Sequence, residues 1–316
     1  MAEATGFQSS ISLKPFTTLK AGGEAEQFIC VRNLRQLEEA AVWSQMTGGA
    51  CTLIGWGSNI LPSDDGVPGL SILNRTRSIQ IQPNGLVLAD SGCGFQELFL
   101  KTAQAGLRGL EFAVGIPGTL GGALVSNAGA YRSSVSEFLT RIEIVSGGIR
   151  KWVDPSWMEF SYRDSVLRRD DKTKAVLLQI EMHLPVGEPK KIYDEAREYQ
   201  RQRIGKQPPS PSAGSFFKNV NSLDLAESLP GLPIPLRTAG VVPAGYLIEA
   251  SGLKGHRHGG AEMGKRHANF ILNTGNASAA DIYELAQHVK ESVLSKFGVE
   301  LEEEVLYIGN WSRWRA

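Results

Sequence analysis

The 316-residue sequence is poor in cysteine, with three residues in all. Cys30, Cys51 and Cys93 are odd in number and show no Cys-x-x-Cys spacing. Such a set indicates neither a disulfide framework nor a cysteine-rich zinc site, so we expect reduced, buried thiols in a reducing compartment. A His-Glu-x-x-His motif is also absent, which argues against a zinc hydrolase. We therefore expect no metal site.

A net charge of either sign is lacking as well, since 33 basic residues balance 33 acidic ones. No long-range field therefore favours binding to nucleic acid or to an acidic membrane surface. Apolar runs of membrane-spanning length are missing, and the initial MAEATGFQSS has neither the basic nor the apolar region of a secretory signal. We expect a cytoplasmic protein.

Hydrophobic periodicity predicts a chain of mixed helices and strands. Helices are predicted over 34–45, 95–106, 188–203 and from the Ser278 cap to Gly298, and strands over 51–55, 141–153 (a hairpin), 174–184 and 299–309. This mixture with a hairpin predicts an α+β fold rather than a doubly wound parallel sheet. The polar helix and the QPPSPS connection at 207–212 place our domain boundary near residue 187. The predicted domains are thus 1–187, with two α+β subdomains, and 188–316.

One segment, GIPGTLGGALVSNAGAY at 115–131, combines five glycines with almost no charge. A glycine cluster indicates positive φ angles or a group that approaches the main chain closely. Concave backbone rich in N–H donors, here with Asn127 beside it, binds anions and above all phosphates. The alternative is that the small residues simply let two elements pack tightly.

A second glycine-rich turn, GWGSN at 55–59, directly follows a predicted buried strand. Gly55 and Gly57 match the first two glycines of a dinucleotide fingerprint, but Ile60 stands at the third position, so the motif is incomplete. Neither turn is followed by a Walker lysine. Two such turns together favour a phosphate-bearing ligand over a chance glycine.

Three further segments carry polar side chains with two interpretations each. Spacing alone favours Arg163 in FSYRDS as a surface arginine paired with Asp164. Ser215 in PSAGSFFKN can donate a proton or cap a helix, and capping is the commoner role. Arg203 and Lys206 suit a diphosphate, or the end of a helix.

Two other stretches indicate no site by themselves. The histidines of GHRHGG (255–260) are expected in an exposed loop, because further metal ligands are missing nearby. ELEEEV (300–305) offers four carboxylates, and the sequence does not choose a catalytic one among them.

Taken in order, eight segments resemble the bacterial flavoenzyme family of UDP-N-acetylenolpyruvoylglucosamine reductases, also called UDP-N-acetylmuramate dehydrogenases. They are PFTTLKAGG (15–23), IGWGSNIL (54–61), GLEFAVGIPGTLGGALVSNAGAY (109–131), FSYRDS (160–165), AGSFFKN (213–219), AGYLIEASGLKG (244–255), KRHANFILNTG (265–275) and FGVELEEEV (297–305). Each is a weak signal, whereas eight in register are highly specific. Only 51 residues separate Arg163 from Ser215, so the chain resembles the shorter subclass that lacks a capping-tyrosine loop.

This resemblance implies an N-terminal FAD-binding domain of the vanillyl-alcohol-oxidase type and a smaller C-terminal α+β domain for substrate. We expect the FAD to be bound non-covalently, because the 115–131 segment contains no His, no Cys and no Tyr except Tyr131. FAD is required because no side chain delivers hydride. The implied cofactor-binding residues lie in the two glycine-rich turns: Gly55, Gly57, Ser58, Asn59, Gly115, Gly118, Thr119, Gly121, Gly122, Asn127, Ala128 and Gly129.

The implied reaction is the NADPH-dependent reduction of UDP-N-acetylglucosamine enolpyruvate to UDP-N-acetylmuramate, a peptidoglycan precursor. Ser215 would supply a proton, while Arg163 and Glu304 would stabilise the substrate carboxylate as it gains enolate character. Glu304 would need to be protonated to avoid repulsion between like charges. The implied substrate-binding residues are Tyr162, Arg203, Lys206 and Asn219. Glu262 departs from the family pattern, which often has a substrate-contacting glutamine at this position. We expect the protein to be a monomer.

Two other functions remain compatible with these residues. Another FAD oxidoreductase of the same flavin fold would keep both glycine-rich turns but would not need Ser215 and Glu304. A non-catalytic flavin or UDP-sugar binding protein would tolerate the loss of Ser215, yet this serine is present in its full AGSFFKN context.

Overall fold

The computed structural model describes residues 6–169, 174–205 and 207–314. Its contacts divide the chain into two compact units. The first comprises Met1–Ile11, Ala25–Gly57 and Val67–Gly205, and the second comprises Ser12–Glu24, Ser58–Gly66 and Lys206–Ala316. Each unit thus consists of three separate stretches of chain.

The helices and strands alternate along the chain in the manner of an α+β fold. The strands are β1 (Gln8–Ser12), β2 (Glu24–Val31), β3 (Cys51–Ile54), β4 (Ile60–Pro62), β5 (Val67–Asn74), β6 (Ile79–Ile81), β7 (Leu86–Asp90), β8 (Gly129–Ala130), β9 (Ser133–Ser134), β10 (Leu139–Ser146), β11 (Ile149–Val153), β12 (Val176–His183), β13 (Val220–Asn221), β14 (Val241–Val242), β15 (Arg257–His258), β16 (Ala261–Met263), β17 (Ile271–Asn273) and β18 (Leu306–Ile308). The α-helices are α1 (Leu34–Thr47), α2 (Phe95–Gln104), α3 (Leu120–Val125), α4 (Val166–Arg169), α5 (Pro189–Ile204), α6 (Leu223–Ser228), α7 (Ile234–Thr238), α8 (Ala244–Ala250) and α9 (Ala279–Phe297). Among the described residues, none of these helices is long and apolar enough to cross a membrane.

The first unit is built on two sheets. One has the strand order β1-β2-β5-β3, with β5 parallel to both β2 and β3. The other is antiparallel, in the order β11-β10-β12-β7-β6. The buried face of α1, with Leu37 and Ala41, shares one core with Ile72 of the first sheet and Leu178 of the second. The mixed sheets agree with the expected α+β class.

The predicted polar helix of the linker region belongs to the first unit. Its buried residues Ile192 and Ala196 pack in the same core as Phe95, Phe99 and Phe112. The chain therefore leaves the first unit at Gly205 rather than near residue 187.

The second unit has its core around α9. Ser278 caps this helix by accepting a hydrogen bond from Asp281 N, and Gly298 ends it with a φ of 68°. The apolar face predicted for this helix comprises Ile282, Leu285, Ala286, Val289, Val293 and Phe297, and all of them are buried except Phe297, which is half-buried. The predicted cap and glycine stop are confirmed, and so is the face apart from Phe297.

Two sequence-based expectations for the second unit differ from the structure. The strand expected over 299–309 is limited to β18, because the residues before it pair instead with the Phe217 segment through a bridge to Glu303. The expected loop at GHRHGG contains the short exposed strand β15, which pairs with β16.

Candidate functional site

The two glycine-rich turns meet in the first unit. A Cβ added at Gly55 would lie 2.5 Å from Oγ1 of Thr119. Thr119 caps α3, since this same oxygen accepts a hydrogen bond of 3.2 Å from Gly122 N. The carbonyl of Gly55 in turn accepts a hydrogen bond of 2.7 Å from Arg75. The turn after β3 therefore lies directly against the first residues of α3.

Part of the 115–131 segment serves packing rather than an open donor row. Gly121 N donates to Ser91 O at 2.7 Å, and a Cβ on Gly121 would lie 3.0 Å from Ser91 Cβ and from Ser91 O. Gly122 is exposed, and its added Cβ would meet only Thr119 Oγ1, at 3.4 Å. The close-packing interpretation thus applies to Gly121, while Gly122 keeps an open face.

Positive φ angles occur at some of the glycines of the two turns. Gly57, Gly115 and Gly118 have φ of 65°, 71° and 139°, the left-handed region that glycine enters without a steric penalty. Asn127 also has a positive φ, of 40°, and is buried. Its Nδ2 donates to Ser161 O at 2.9 Å, whereas its Oδ1 is buried with no hydrogen-bond partner within the described ranges. Because buried polar atoms are almost always hydrogen-bonded, this oxygen favours a ligand that supplies a donor next to Asn127.

Arg163 is joined to the end of the glycine-rich segment. Its guanidinium donates to Asn127 O at 3.5 Å and, through a shorter contact, to Gly129 O. Asp164, the partner that spacing alone favoured for Arg163, pairs with Arg169 at 2.8 Å. The turn conformation of Arg163, with φ of 54°, directs its chain to these carbonyls instead.

Two other predicted residues lie next to this contact. Tyr162 is exposed, with the Arg163 guanidinium 5.4 Å from its ring centroid. Ala128 is half-buried and donates to Ala123 O at 2.7 Å. FSYRDS and the NAGAY end of the glycine-rich segment therefore form one local cluster.

Arg203 lies near the end of α5 and is half-buried. It donates to Phe112 O at 3.2 Å, and no group in the described part of the chain accepts from its buried Nε. Burial lowers the pKa of Arg203, and the charge of Arg163 acts in the same direction. Two mutually repelling guanidinium groups, one of them partly desolvated, suit an anionic ligand. Lys206, predicted beside Arg203, lies outside the described residues.

In the second unit, hydrogen bonds bring the segments of Ser215 and Glu304 side by side. Glu304 N donates to Phe216 O at 2.7 Å, and Lys218 N donates to Glu302 O at 2.8 Å. Gly214, with φ of 78°, sets the turn that leads into Ser215. A serine and a carboxyl-bearing residue that lie far apart in the sequence thus belong to paired stretches of backbone.

Asn59 ties the second glycine-rich turn to the same stretch. Its Nδ2 donates to Glu304 O at 3.0 Å, and its own carbonyl accepts from Leu306 N at 3.0 Å. The parallel pair of β4 and β18 continues this contact. Ser58 and Asn59 belong to the second unit, whereas Gly55 and Gly57 belong to the first.

The structure distinguishes among the carboxylates of ELEEEV. Glu302 pairs with Lys218 at 2.5 Å, and Glu303 pairs with Lys290 at 3.1 Å. The carboxylates of Glu302 and Glu303 thus each have a lysine partner within the protein and need no substrate to balance their charge.

Two substrate-side positions have partners within the protein. Asn219 Oδ1 accepts a hydrogen bond of 3.2 Å from Ala244 N at the start of α8. Glu262 is buried and pairs with Arg257 at 2.6 Å, with Lys265 at 3.6 Å. The carboxylate of Glu262 is thus neutralised by cations of its own unit.

Sequence reasoning missed Asn269, which holds the segment of Ser215. Its Oδ1 accepts from Phe217 N at 2.9 Å, its Nδ2 donates to Phe217 O at 2.8 Å, and its carbonyl accepts from Phe216 N at 2.7 Å. Asn269 is buried in the apolar run ANFIL. A lone amide in such a run is the signal that could have identified it, because buried polar groups need partners.

The residues of the first unit fit an anionic dinucleotide such as FAD. The two glycine-rich turns meet, Gly122 has an open face, and Asn127 carries a buried amide oxygen without a partner in the described ranges, which suits a hydroxyl or N–H donor of such a ligand. Glycines that carry no side chain let a ligand approach the main chain closely, which is how glycine-rich turns bind the diphosphate of a dinucleotide.

Comparison with known proteins agrees with both units. An FAD binding domain family matches residues 25–148, and the family of the UDP-N-acetylenolpyruvoylglucosamine reductase C-terminal domain matches residues 206–308. A curated UDP-N-acetylenolpyruvoylglucosamine reductase from Synechococcus sp. is 38% identical and covers 96% of this chain and 92% of its own length. One from Caldicellulosiruptor saccharolyticus is 37% identical over 95% and 91%. The crystal structure of UDP-N-acetylenolpyruvylglucosamine reductase from Thermus caldophilus is similar with a TM-score of 0.75 and 30% identity, covering 95% of this chain and 98% of that chain.

Proposed function

We propose that this chain, which belongs to the family of UDP-N-acetylenolpyruvoylglucosamine reductases, reduces UDP-N-acetylglucosamine enolpyruvate to UDP-N-acetylmuramate with NADPH as the reductant. FAD supplies the hydride transfer, which amino-acid side chains cannot perform. The product is a precursor of peptidoglycan. A cytoplasmic monomer is part of the same proposal, and light scattering after size-exclusion chromatography measures the monomeric state.

The two glycine-rich turns are proposed to bind the diphosphate of FAD. Gly122 leaves the main chain of α3 accessible, and Gly57, Gly115 and Gly118 permit the positive φ angles of the surrounding turns. A side chain at such a position would take the space that the ligand needs. Asn127 would give its unsatisfied Oδ1 a hydrogen-bond donor from the ligand.

Arg163, Glu304 and Ser215 are proposed to act on the enolpyruvate. Arg163 would bind the substrate carboxylate and stabilise its developing enolate charge, and Glu304 would do so in its protonated form. Ser215 Oγ would donate the proton that the carbon next to the carboxylate requires. Tyr162, Arg203, Lys206 and Asn219 would bind the rest of the UDP-sugar.

The observation that carries this division of roles is the hydrogen-bonded pairing of the Ser215 and Glu304 segments in the second unit. A flavin-binding protein without turnover has no need to hold a hydroxyl and a carboxyl in this register. The bond from Asn59 to Glu304 O fixes the same segment from the other side.

The Ser215→Ala variant tests this role, because it removes one hydroxyl and leaves the flavin turns unchanged. Rapid mixing with NADPH should bleach the flavin at close to the parent rate. Adding UDP-N-acetylglucosamine enolpyruvate should then restore the oxidised spectrum about 10²–10⁴-fold more slowly, the usual contribution of a general acid.

The matched control is Ser295→Ala, which removes an exposed hydroxyl from α9. This variant should show parent rates in both steps. If flavin reduction by NADPH slows as much as reoxidation in Ser215→Ala, Ser215 is structural. If neither step slows, the proposed proton donor is wrong.

A further inference from the structure

Three side chains form one row along α5. Glu195, Tyr199 and Arg203 are spaced four residues apart in this helix, which runs over Pro189–Ile204. Residues at this spacing lie one above the other on the same helix face. The proposed substrate-binding residue Arg203 therefore ends a row whose other members have no assigned role.

Tyr131, at the end of the glycine-rich segment, rests on this row. Its ring stacks on that of Tyr199, with centroids 3.7 Å apart and planes 5° from parallel. Its hydroxyl also donates to Tyr199 O at 3.2 Å. The Arg203 guanidinium lies 5.6 Å from the Tyr131 centroid, within the range of a cation–π contact. Tyr131 thus contacts two members of the row, Tyr199 and Arg203, at once.

The backbone of Tyr131 shows that this placement is held against its local preference. Tyr131 and Arg132 have φ of 54° and 67° in the tight turn between β8 and β9. Two consecutive left-handed residues that are not glycine are strained and persist only when their surroundings fix them. The pairing of β8 with β9 holds this two-residue turn, and the stack on Tyr199 holds the ring of Tyr131.

Tyr199 is itself anchored. Its hydroxyl donates to Glu195 Oε1 at 2.6 Å. Burial, with the Glu195 carboxylate, raises the pKa of Tyr199 to about 12, so the phenol keeps its proton at physiological pH. The ring therefore presents one fixed face to Tyr131.

We propose that Tyr199 is a positioning residue that orients Arg203 toward the diphosphate of the UDP-sugar by holding Tyr131 beside its guanidinium. This inference rests on the proposed function of Arg203 in substrate binding. Arg203 is restrained by Phe112 O on one side and by Tyr131 on another, which leaves its Nε available to an incoming anion. A guanidinium fixed before binding loses less side-chain freedom when the ligand arrives.

The test compares four single variants of the FAD-loaded enzyme, Tyr199→Ala, Tyr199→Phe, Arg203→Met and Arg201→Met, and the double variant Tyr199→Ala/Arg203→Met. Calorimetric titration with UDP measures the diphosphate site directly, without turnover. Steady-state kinetics at saturating NADPH separates KM for the UDP-sugar from kcat. Arg201→Met is the charge-matched control, since Arg201 is an exposed arginine of α5 that contacts Glu198.

Tyr199→Ala should weaken UDP binding and raise KM by about 3- to 10-fold, the effect of one side chain that must be ordered on binding, with kcat within about 2-fold of the parent. Tyr199→Phe keeps the stacking face but loses the bond to Glu195, so both of its values should lie closer to the parent than those of Tyr199→Ala. Arg201→Met should match the parent. In an Arg203→Met background, Tyr199→Ala should have no further effect, because it acts through Arg203.

Each contrary result identifies what is wrong. If Arg203→Met leaves UDP binding unchanged, the proposed function of Arg203 fails. If Arg203→Met weakens UDP binding but Tyr199→Ala does not, or if the two effects add fully, the positioning role of Tyr199 is overturned. Tyr199→Leu, which retains apolar packing without an aromatic face, replaces Tyr199→Ala if the latter does not fold. A kcat loss with unchanged KM in that variant also overturns the inference.

Discussion

At the scale of single residues, Asn269 shows how one amide can hold the segment around Phe217, which carries the proposed proton donor Ser215. It satisfies both main-chain groups of Phe217 and lies fully within the core of the second unit. Removing the amide would leave a buried N–H and a buried carbonyl without partners. Such unsatisfied groups are far more costly than the loss of an exposed hydrogen bond.

Asn269→Ala should therefore lower the free energy of unfolding by about 1–3 kcal/mol, measured by urea denaturation. Asn269→Asp keeps the acceptor for Phe217 N but loses the donor to Phe217 O. Its free energy of unfolding should lie between those of the parent and Asn269→Ala. Asn276→Ala, at an exposed position, is the control. An unchanged urea midpoint for Asn269→Ala would mean that the Phe217 segment is held by its backbone contacts alone.

Residue-scale partners explain why part of the site could not be predicted. The sequence offered Asp164 as the neighbour of Arg163, but the pairing of Asp164 with Arg169 depends on the path of the following helix. The contact of Arg163 with Gly129 O depends on two turns that meet in space. The adjacency of Arg163 and Asp164 in the sequence predicts neither of these two contacts.

At the scale of elements, the long ones were predictable and the short ones were not. The cap, the apolar face and the glycine stop of helix α9 all lie in one continuous segment of the sequence. In contrast, α3 has six residues, and its glycines divide between packing and exposure according to the position of Ser91 in another part of the chain. The motif predicted a ligand-binding turn, but only the fold separates Gly121 from Gly122.

This division predicts different outcomes for two neighbouring glycines of α3. Gly122→Val should stay folded and bind FAD more weakly, because the new side chain extends from the open face of the helix. Gly121→Val should lose both fold and FAD, because even its Cβ would press on the Ser91 main chain. Circular dichroism measures the fold, and the ratio of flavin to protein absorbance measures FAD occupancy.

Gly121→Val is thus the matched comparison for Gly122→Val. A folded, fully yellow Gly122→Val protein would show that FAD does not approach this face of α3. A folded Gly121→Val protein would show that the contact with Ser91 is soft enough to yield.

At the scale of the whole molecule, the second unit depends on two early stretches of the chain. Asn273 Nδ2 donates to Leu19 O at 2.9 Å, Ser63 Oγ donates to Asn310 O at 2.5 Å, and β18 pairs with β4. A domain boundary drawn as one cut, as at residue 187, cannot represent this organisation. The sequence carries no local signal for it, because each early stretch is too short to form its own core.

The side chains available for a covalent bond to the flavin determine how FAD is attached. Covalent attachment through cysteine needs a thiolate, and burial raises the pKa of both Cys51 and Cys93. The 115–131 segment contains no histidine or cysteine. FAD held only by non-covalent contacts exchanges with the solution and stabilises the native state by mass action.

Acid precipitation should therefore release all the yellow colour into the supernatant. The FAD-free protein should melt at a lower temperature, and added FAD should restore the melting temperature in a concentration-dependent way. At about 100 times its dissociation constant, FAD contributes about 2.7 kcal/mol to stability, which corresponds to a shift of several degrees for a chain of this size. Riboflavin, which lacks the diphosphate, is the control and should restore little of this shift. Flavin that stays with the acid pellet would contradict non-covalent binding, and equal rescue by riboflavin would contradict the role of the glycine-rich turns.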